Sequence, residues 1–201
     1  QKARAPDGLQ TLKPDIGVEM VSLAFDWTAP DTKPDTRHAI ETELRRLLES
    51  IDSTEKALSL RDFHAENLIW RPAHQGRDRI GLLDFQDAFI APAGYDLVSL
   101  LRDARRDVSP DTVTEMIAYF MENTDAGPGF RTQLACVGIQ RNLRILGIFG
   151  RLSLAYGKPR YLDLIPRVWN DIETDLADPA LGALREAVYD TVPAPTPAFL
   201  E

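Results

Sequence analysis

The segment LSLRDFHAENLIW (58–70) sets Asp62 and, five residues later, Asn67 between two short apolar runs. Shortly after, IGLLDFQ (80–86) ends another apolar run in Asp84-Phe85. A carboxylate can take the proton of an attacking hydroxyl, and amide and carboxylate oxygens are the hard ligands that Mg2+ takes. One base and two oxygen ligands, each at the edge of a strand-like run, are what transfer of a phosphoryl group from a nucleotide requires. Positioning and electrostatics do most of the work in that reaction. Asp followed five residues on by Asn occurs once in the chain, because Asn123, Asn142 and Asn170 have no Asp five before them. Each of the three residues alone also reads as an ordinary turn or cap residue. Their combination is what points to chemistry.

In protein kinases the same roles fall to the Asp and Asn of the catalytic loop and to the Asp of an Asp-Phe-Gly segment. Arg61-Asp62-Phe63 with Asn67 corresponds to the first, and Asp84-Phe85 to the second, with Gln86 in place of glycine. Asp87-Ala88, Pro92 and then Tyr95-Asp96-Leu97, opening a helix, follow. The set RDFHAEN…GLLDFQDAFIAPAGYDLVSLLRDARRDV resembles the aminoglycoside phosphotransferase-like kinases. Within them it is most similar to the anomeric kinases for N-acetylmuramate and N-acetylglucosamine of cell-wall recycling. The later QRNLRILGIFGRL…GKPRYLDLIPRVW (140–169) resembles the helical end of that subgroup, so the likeness runs from about 58 to 169.

The resemblance implies Asp62 as catalytic base, Asn67 and Asp84 as Mg2+ ligands, and Asp96 as a helix cap that braces the active loop. It implies ATP as phosphoryl donor and a small-molecule hydroxyl as acceptor, the anomeric hydroxyl of an amino sugar. An aminoglycoside, choline or homoserine acceptor in the same fold stays open, as does a catalytically silent kinase-like binding module. Leu60 stands where the family carries a histidine, two before the base, that pins the loop. Such kinases also carry an N-terminal lobe of strands with a phosphate-covering loop and a nucleotide-binding Lys. Neither G-x-x-x-x-G-K-[ST] nor G-x-G-x-x-G is present, and Gly127-Pro128-Gly129 follows no strand and reads as a turn. The chain therefore reads as the C-terminal lobe of a protein-kinase-like fold with the nucleotide lobe largely absent. Its own N-terminal lobe is the expected partner, and the isolated fragment is expected to be inactive. A first residue of Gln rather than Met agrees with an excised piece.

Other polar residues carry two readings. Arg61 supports the loop; His64 either assists catalysis or holds the loop by hydrogen bonds. Glu66 is a loop-surface charge or supports the site residues from behind, and Asp87 is a metal or substrate contact or a local cap. Arg102, Arg105 and Arg106, interleaved with Asp103 and Asp107, form i,i+4 ion pairs on a helix, or else Arg102 or Arg105 faces the cleft and binds a carboxylate or phosphate. His38 and His74 have no Cys or His spacing that suggests zinc. Trp27, Trp70 and Trp169 read as core or interdomain packing residues rather than sugar platforms.

The elements that must position these groups are mostly helical. Residues 1–35 are broken by six prolines and glycines and read as a linker or hinge-side segment, with one apolar piece of undecided type at 18–25. Ile40, Leu44, Leu47 and Leu48 recur with helical spacing. Short strands are expected at 57–60, 67–70 and 80–85, with a hairpin-like return over 71–79. Helices are expected at 95–106, from 110 behind a Ser109 cap, at 130–156 closed by Gly157, at 166–176 and at 178–188. Three prolines in 193–201 predict a loose tail. The fold class is α+β, mainly α with a small β cluster, in one domain over 1–201. With 201 residues and 44% hydrophobic content, the chain can bury a core. A net charge of −8 argues against nucleic acid and membrane surfaces as partners. No apolar run is long enough to span a bilayer and no secretory signal opens the chain. A single cysteine, Cys136, in an apolar helical stretch is expected to be buried and suits a reducing, cytoplasmic compartment.

Overall fold

Four helices carry proline in their first turn, where the missing N–H costs nothing. The computed structural model describes residues 8–195. In chain order the elements are α1 (Pro14–Trp27), α2 (Pro34–Asp52), β1 (Lys56–Ser59), β2 (Leu68–Trp70), β3 (Ile80–Leu82), β4 (Phe89–Pro92), α3 (Tyr95–Leu101), α4 (Pro110–Glu122), α5 (Phe130–Leu154), α6 (Ile165–Leu176) and α7 (Gly182–Tyr189). Short 3-10 turns fall at Ala65–Asn67, Gly76–Arg79, Pro159–Leu164 and Pro179–Leu181. They divide into two compact units, one holding residues up to Leu12 with Thr54–Asp125, the other Lys13–Ser53 with residues from Ala126 on.

The second unit is a helical bundle around α5. The stripe expected on α2 is there: Ile40, Leu44, Leu47, Leu48 and Ile51 are all buried. The 18–25 piece is part of α1, whose Val18, Val21, Ala24 and Phe25 are buried. The prolines and glycines that suggested a linker lie mostly outside this helix, and Pro14 starts it. Helix α5 packs against α1, α2 and α6. A Cβ on Gly147 would sit 2.2 Å from the Leu23 carbonyl carbon, so only glycine lets the α1 and α5 backbones approach this closely. Cys136 is fully buried. Burial, with Asp178 adding, pushes its thiol up to about 12, so it acts as a small apolar group. Gly157 closes the run after α5 with φ 61°, and Asp178 Oδ1 accepts from Ala180 N ahead of α7. The tail expected at 193–201 lies outside the described residues from 196 on.

The first unit holds two small antiparallel sheets. β2 and β3 pair with Leu68 opposite Leu82 and Trp70 opposite Ile80, and Arg71 N donates to Arg79 O (2.8 Å) across the expected return. β1 pairs with β4, Lys56 opposite Pro92 through Ser59 opposite Phe89. Residues 10–12 add to the other edge of β4 through Leu12 N to Ile90 O (2.7 Å) and Ile90 N to Gln10 O (2.8 Å). β4 is not visible in sequence, because an Ala- and Pro-containing run looks like a breaker; Pro92 fits at the strand's last residue. The third expected strand stops at Leu82, since Asp84 turns into the left-handed region at φ 56°. The helix expected over 95–106 stops at Leu101. Asp103 Oδ1 accepts from Arg105 N (3.1 Å), a local turn that competes with the helix, so the anticipated i,i+4 ladder of Arg102, Arg105 and Arg106 has no helix to stand on. Trp169 is buried in the core, whereas Trp70 is 58% exposed and so takes no part in a core of this chain.

Replacing Gly147 by Ala should cost at least about 2 kcal/mol of stability, the range for overpacking a close backbone contact. Gly182→Ala, whose new methyl meets only the far end of Arg185 at 4.0 Å, should be neutral or slightly stabilising. Urea denaturation of both variants checks this, and equal effects would contradict the close packing.

Candidate active site

The loop after β1 is shaped by its own backbone before any side chain is considered. Asp62 N donates to Leu60 O (2.8 Å), His64 N to Asp62 O (3.0 Å) and Asn67 N to His64 O (2.9 Å), which winds 62–67 into a tight turn. Arg61 enters it at φ 70°, a conformation that costs a non-glycine residue about 1 kcal/mol or more. What holds it there is Asp96, in the first turn of α3. Its Oδ1 accepts from Ser59 Oγ (2.5 Å) and Arg61 N (3.3 Å), and its Oδ2 from Leu60 N (2.8 Å). Ser99 Oγ, one turn on, donates to Arg61 O (3.2 Å). The Arg61 guanidinium lies over the Phe89 ring at 5.9 Å.

Asn67 is oriented by what its nitrogen meets. Nδ2 lies 2.8 Å from the Asp62 carbonyl oxygen, which can only accept. The second N–H of the same amide meets His64 Nε2 at 3.3 Å. Both donors are thus used inside the loop, and no donor of the described residues approaches Oδ1. The Asp62 carboxylate likewise accepts no hydrogen bond among the described residues.

Asp84 is brought to this loop by the β2–β3 pairing. Leu83 N donates to Asn67 O (2.9 Å), so Asp84 is the next residue after a direct backbone link to Asn67. Its exposed carboxylate accepts from Gln86 Nε2 (2.7 Å). Asn67 Oδ1 and the Asp84 carboxylate are hard oxygens of the kind Mg2+ accepts. No group of three or more His, Cys, Asp and Glu forms a metal cluster among the described residues. A site completed by phosphate oxygens and water needs none.

Asp87 is exposed in the following turn. Arg102 ends α3, its N–H donating to Val98 O (2.8 Å). Arg105 is drawn to the 60–67 loop: Nε meets Glu66 Oε2 at 3.1 Å and Nη1 meets Asp103 Oδ1 at 3.4 Å. Asp103, read in sequence as one charge of a surface ladder, is buried, and its Oδ2 accepts from Ala65 N (3.1 Å). No signal in the sequence separates it from its charged neighbours, because its burial depends on the turn that ends α3. Burial and the Arg105 guanidinium hold the His64 ring below its usual value of 6.5, against the opposing pull of Asp103, Asp62 and Glu66.

With this geometry in place, comparison with known proteins decides the family. The model of the phosphotransferase enzyme family matches residues 4–130. The chain belongs to the phosphotransferase enzyme family. It is 44% identical over 141 residues to the N-acetylmuramate/N-acetylglucosamine kinase of Caulobacter vibrioides, covering 68% of this chain and 38% of that protein. To the kinase of the same name from Neisseria meningitidis it is 38% identical over 118 residues, or 55% of this chain and 34% of the relative. The phosphotransferase chain thus spans little more than a third of the length of these relatives. A choline/ethanolamine kinase family protein from Mesorhizobium loti shares its fold, with TM-score 0.60 at 14% identity, covering 94% of this chain and 60% of the other.

The lowered His64 value means that the native loop favours the neutral ring. Its stabilising contribution is complete above about pH 6.5 and is lost as pH falls through the lower native value. An NMR titration of the His64 ring should give a midpoint below 6.5; a midpoint above it would contradict the surroundings described here.

Proposed function

We propose that this chain is the C-terminal, catalytic lobe of a kinase that moves the γ-phosphoryl group of ATP to a small-molecule hydroxyl. The observation that carries this reading is the Asn67 amide, with both N–H groups tied inside the loop and Oδ1 left open, one residue's pairing away from Asp84. Asp62, bare of protein donors, is the base that takes the proton of the attacking hydroxyl. Asn67 Oδ1 and Asp84 hold Mg2+, which when bound offsets charge on the transferring phosphates. Asp96 and Arg61 keep the loop in register, and Asp87 and Arg102 are candidates for contact with the acceptor. Arg105, engaged with Glu66 and Asp103, serves the loop more directly than the acceptor.

Identity of 44% to the Caulobacter vibrioides enzyme favours the anomeric hydroxyl of N-acetylmuramate or N-acetylglucosamine as acceptor, in cell-wall recycling. A cytoplasmic setting goes with ATP as donor, and no helix among the described residues is long and apolar enough to cross a membrane. The expected partner is an N-terminal lobe of the same protein. Two observations support it: the chain spans only part of its relatives, and Leu58, Ile69, Trp70, Leu82, Leu83 and Phe85 of the first unit are exposed, with Trp70 at 58% and Phe85 at 59%. A silent binding module is disfavoured. The pinning that Leu60 cannot provide by side chain is supplied through its N–H to Asp96.

The complete gene product should phosphorylate amino sugars with ATP in a panel that also contains aminoglycosides and choline. Asp62→Ala in that protein should lower kcat at least about 100-fold, the range for a lost general base; near-normal turnover would end the assignment. Asp84→Asn should weaken Mg2+-nucleotide binding in titration calorimetry, and unchanged affinity would remove Asp84 from the metal site.

A further inference from the structure

Two residues outside the Asp62, Asn67 and Asp84 trio bear on the Ala65–Asn67 turn from different directions. The 3-10 turn Ala65–Asn67 has no cap from the residue before it, since His64 makes no side-chain cap bond. Its first N–H, on Ala65, is instead taken by Asp103 Oδ2 at 3.1 Å, from 38 residues further along the chain. Its second residue, Glu66, is held by Arg105 Nε at 3.1 Å, and Arg105 is itself held by Asp103 Oδ1 through N (3.1 Å) and Nη1 (3.4 Å). Asp103 therefore fixes two successive residues of the turn, one directly and one through Arg105. Asp103 is buried, which strengthens the bonds its own carboxylate accepts, whereas the Arg105–Glu66 pair lies at the surface.

His64 acts on the third residue. Its Nε2 faces the Nδ2 of Asn67 at 3.3 Å, which makes Nε2 the acceptor and places the ring proton on Nδ1. Nδ1 is buried and has no hydrogen-bond partner among the described residues. An orphaned buried donor costs free energy, so the ring orientation is not set by its own satisfaction. It is set by the one contact it makes well, to Asn67. Without that acceptor the Asn67 amide keeps only the Asp62 carbonyl as partner. Rotation about its last torsion would then cost a single bond, and Oδ1 would lose its fixed direction.

We propose that His64 and Asp103 are positioning residues, Asp103 locking the turn and His64 locking the Asn67 amide, so that Oδ1 is presented as an open oxygen ligand. The identity of what Oδ1 receives rests on the phosphotransfer reading above; the locking does not. Partners that orient a metal ligand in this way commonly change metal affinity 10–100-fold when removed.

NMR on the 15N-labelled 201-residue chain tests the locking without activity. The two Asn67 Nδ2 protons should be well separated and slow to exchange, and His64 should show an unprotonated Nε2. His64→Leu should move the Nδ2 proton that faces His64 to the shift of a free primary amide and speed its exchange at least about tenfold, while His64→Gln, which returns an acceptor oxygen, should restore most of the shift. Asp103→Asn, nearly isosteric, should speed exchange of the Ala65 amide by a similar factor of about ten while leaving the β2–β3 amides unchanged. Unchanged Asn67 signals in His64→Leu, or no difference between the Leu and Gln variants, would overturn the proposal. Mn2+ titration separates the two levels. Broadening at Asn67 and Asp84 that weakens about tenfold in His64→Leu supports both readings. Absence of broadening in the parent chain, with the amide signature intact, upholds the locking and removes the metal assignment instead.

Discussion

A single carboxylate, Asp96, accepts from three donors of the 59–61 segment and so sets where the 60–67 loop begins. Hydrogen bonds to a charged acceptor contribute about 1.5–3 kcal/mol each. Three of them exceed the cost of holding Arg61 at φ 70°. Asp103, just past the other end of α3, takes the Ala65 N–H. Helix α3 is only seven residues, about 10 Å long, yet its two flanking carboxylates grip the loop at both ends. A loop tied at both ends to one rigid rod has few ways to rearrange without breaking a charged bond.

This arrangement divides labour between satisfied and unsatisfied oxygens. Asp96 and Asp103 are spent on backbone N–H groups. Among the described residues the Asp62 carboxylate and Asn67 Oδ1 meet no donor, and the Asp84 carboxylate accepts from Gln86. The loop is held through backbone amides, and position 60 contributes to that hold by its N–H rather than by its side chain. The exposed apolar residues of β2 and β3 stay uncovered in this chain, while the strands set Leu83, the neighbour of Asp84, against the Asn67 backbone.

Much of the site was legible because its parts are close in sequence. Asp62 and Asn67 share one turn, and Asp84 follows one hairpin later, so local spacing and a two-strand return bring them together. The helices of the bundle were legible for a similar reason, since Ile40, Leu44, Leu47 and Leu48 repeat at the helical period. Illegible were α1, hidden by the prolines and glycines around it, and β4, whose Ala and Pro are poor strand formers that the Lys56–Ser59 pairing overrides. The end of α3 was also missed, because apolar spacing continued past the point where Asp103 turns back on its own backbone.

What the sequence determined by itself is the inventory and the local periods: which oxygens are available, which faces are apolar and where caps begin a helix. Those depend on neighbours within a few residues. Only the tertiary structure decided which carboxylates are bare and which are spent. Asp96, Asp103 and Arg105 are no different in type from the charges beside them, and their roles come from bonds that span 35 to 39 residues. Such bonds exist only once the fold has brought α3 and the turn after it against the 59–67 loop, and no spacing along the chain encodes that.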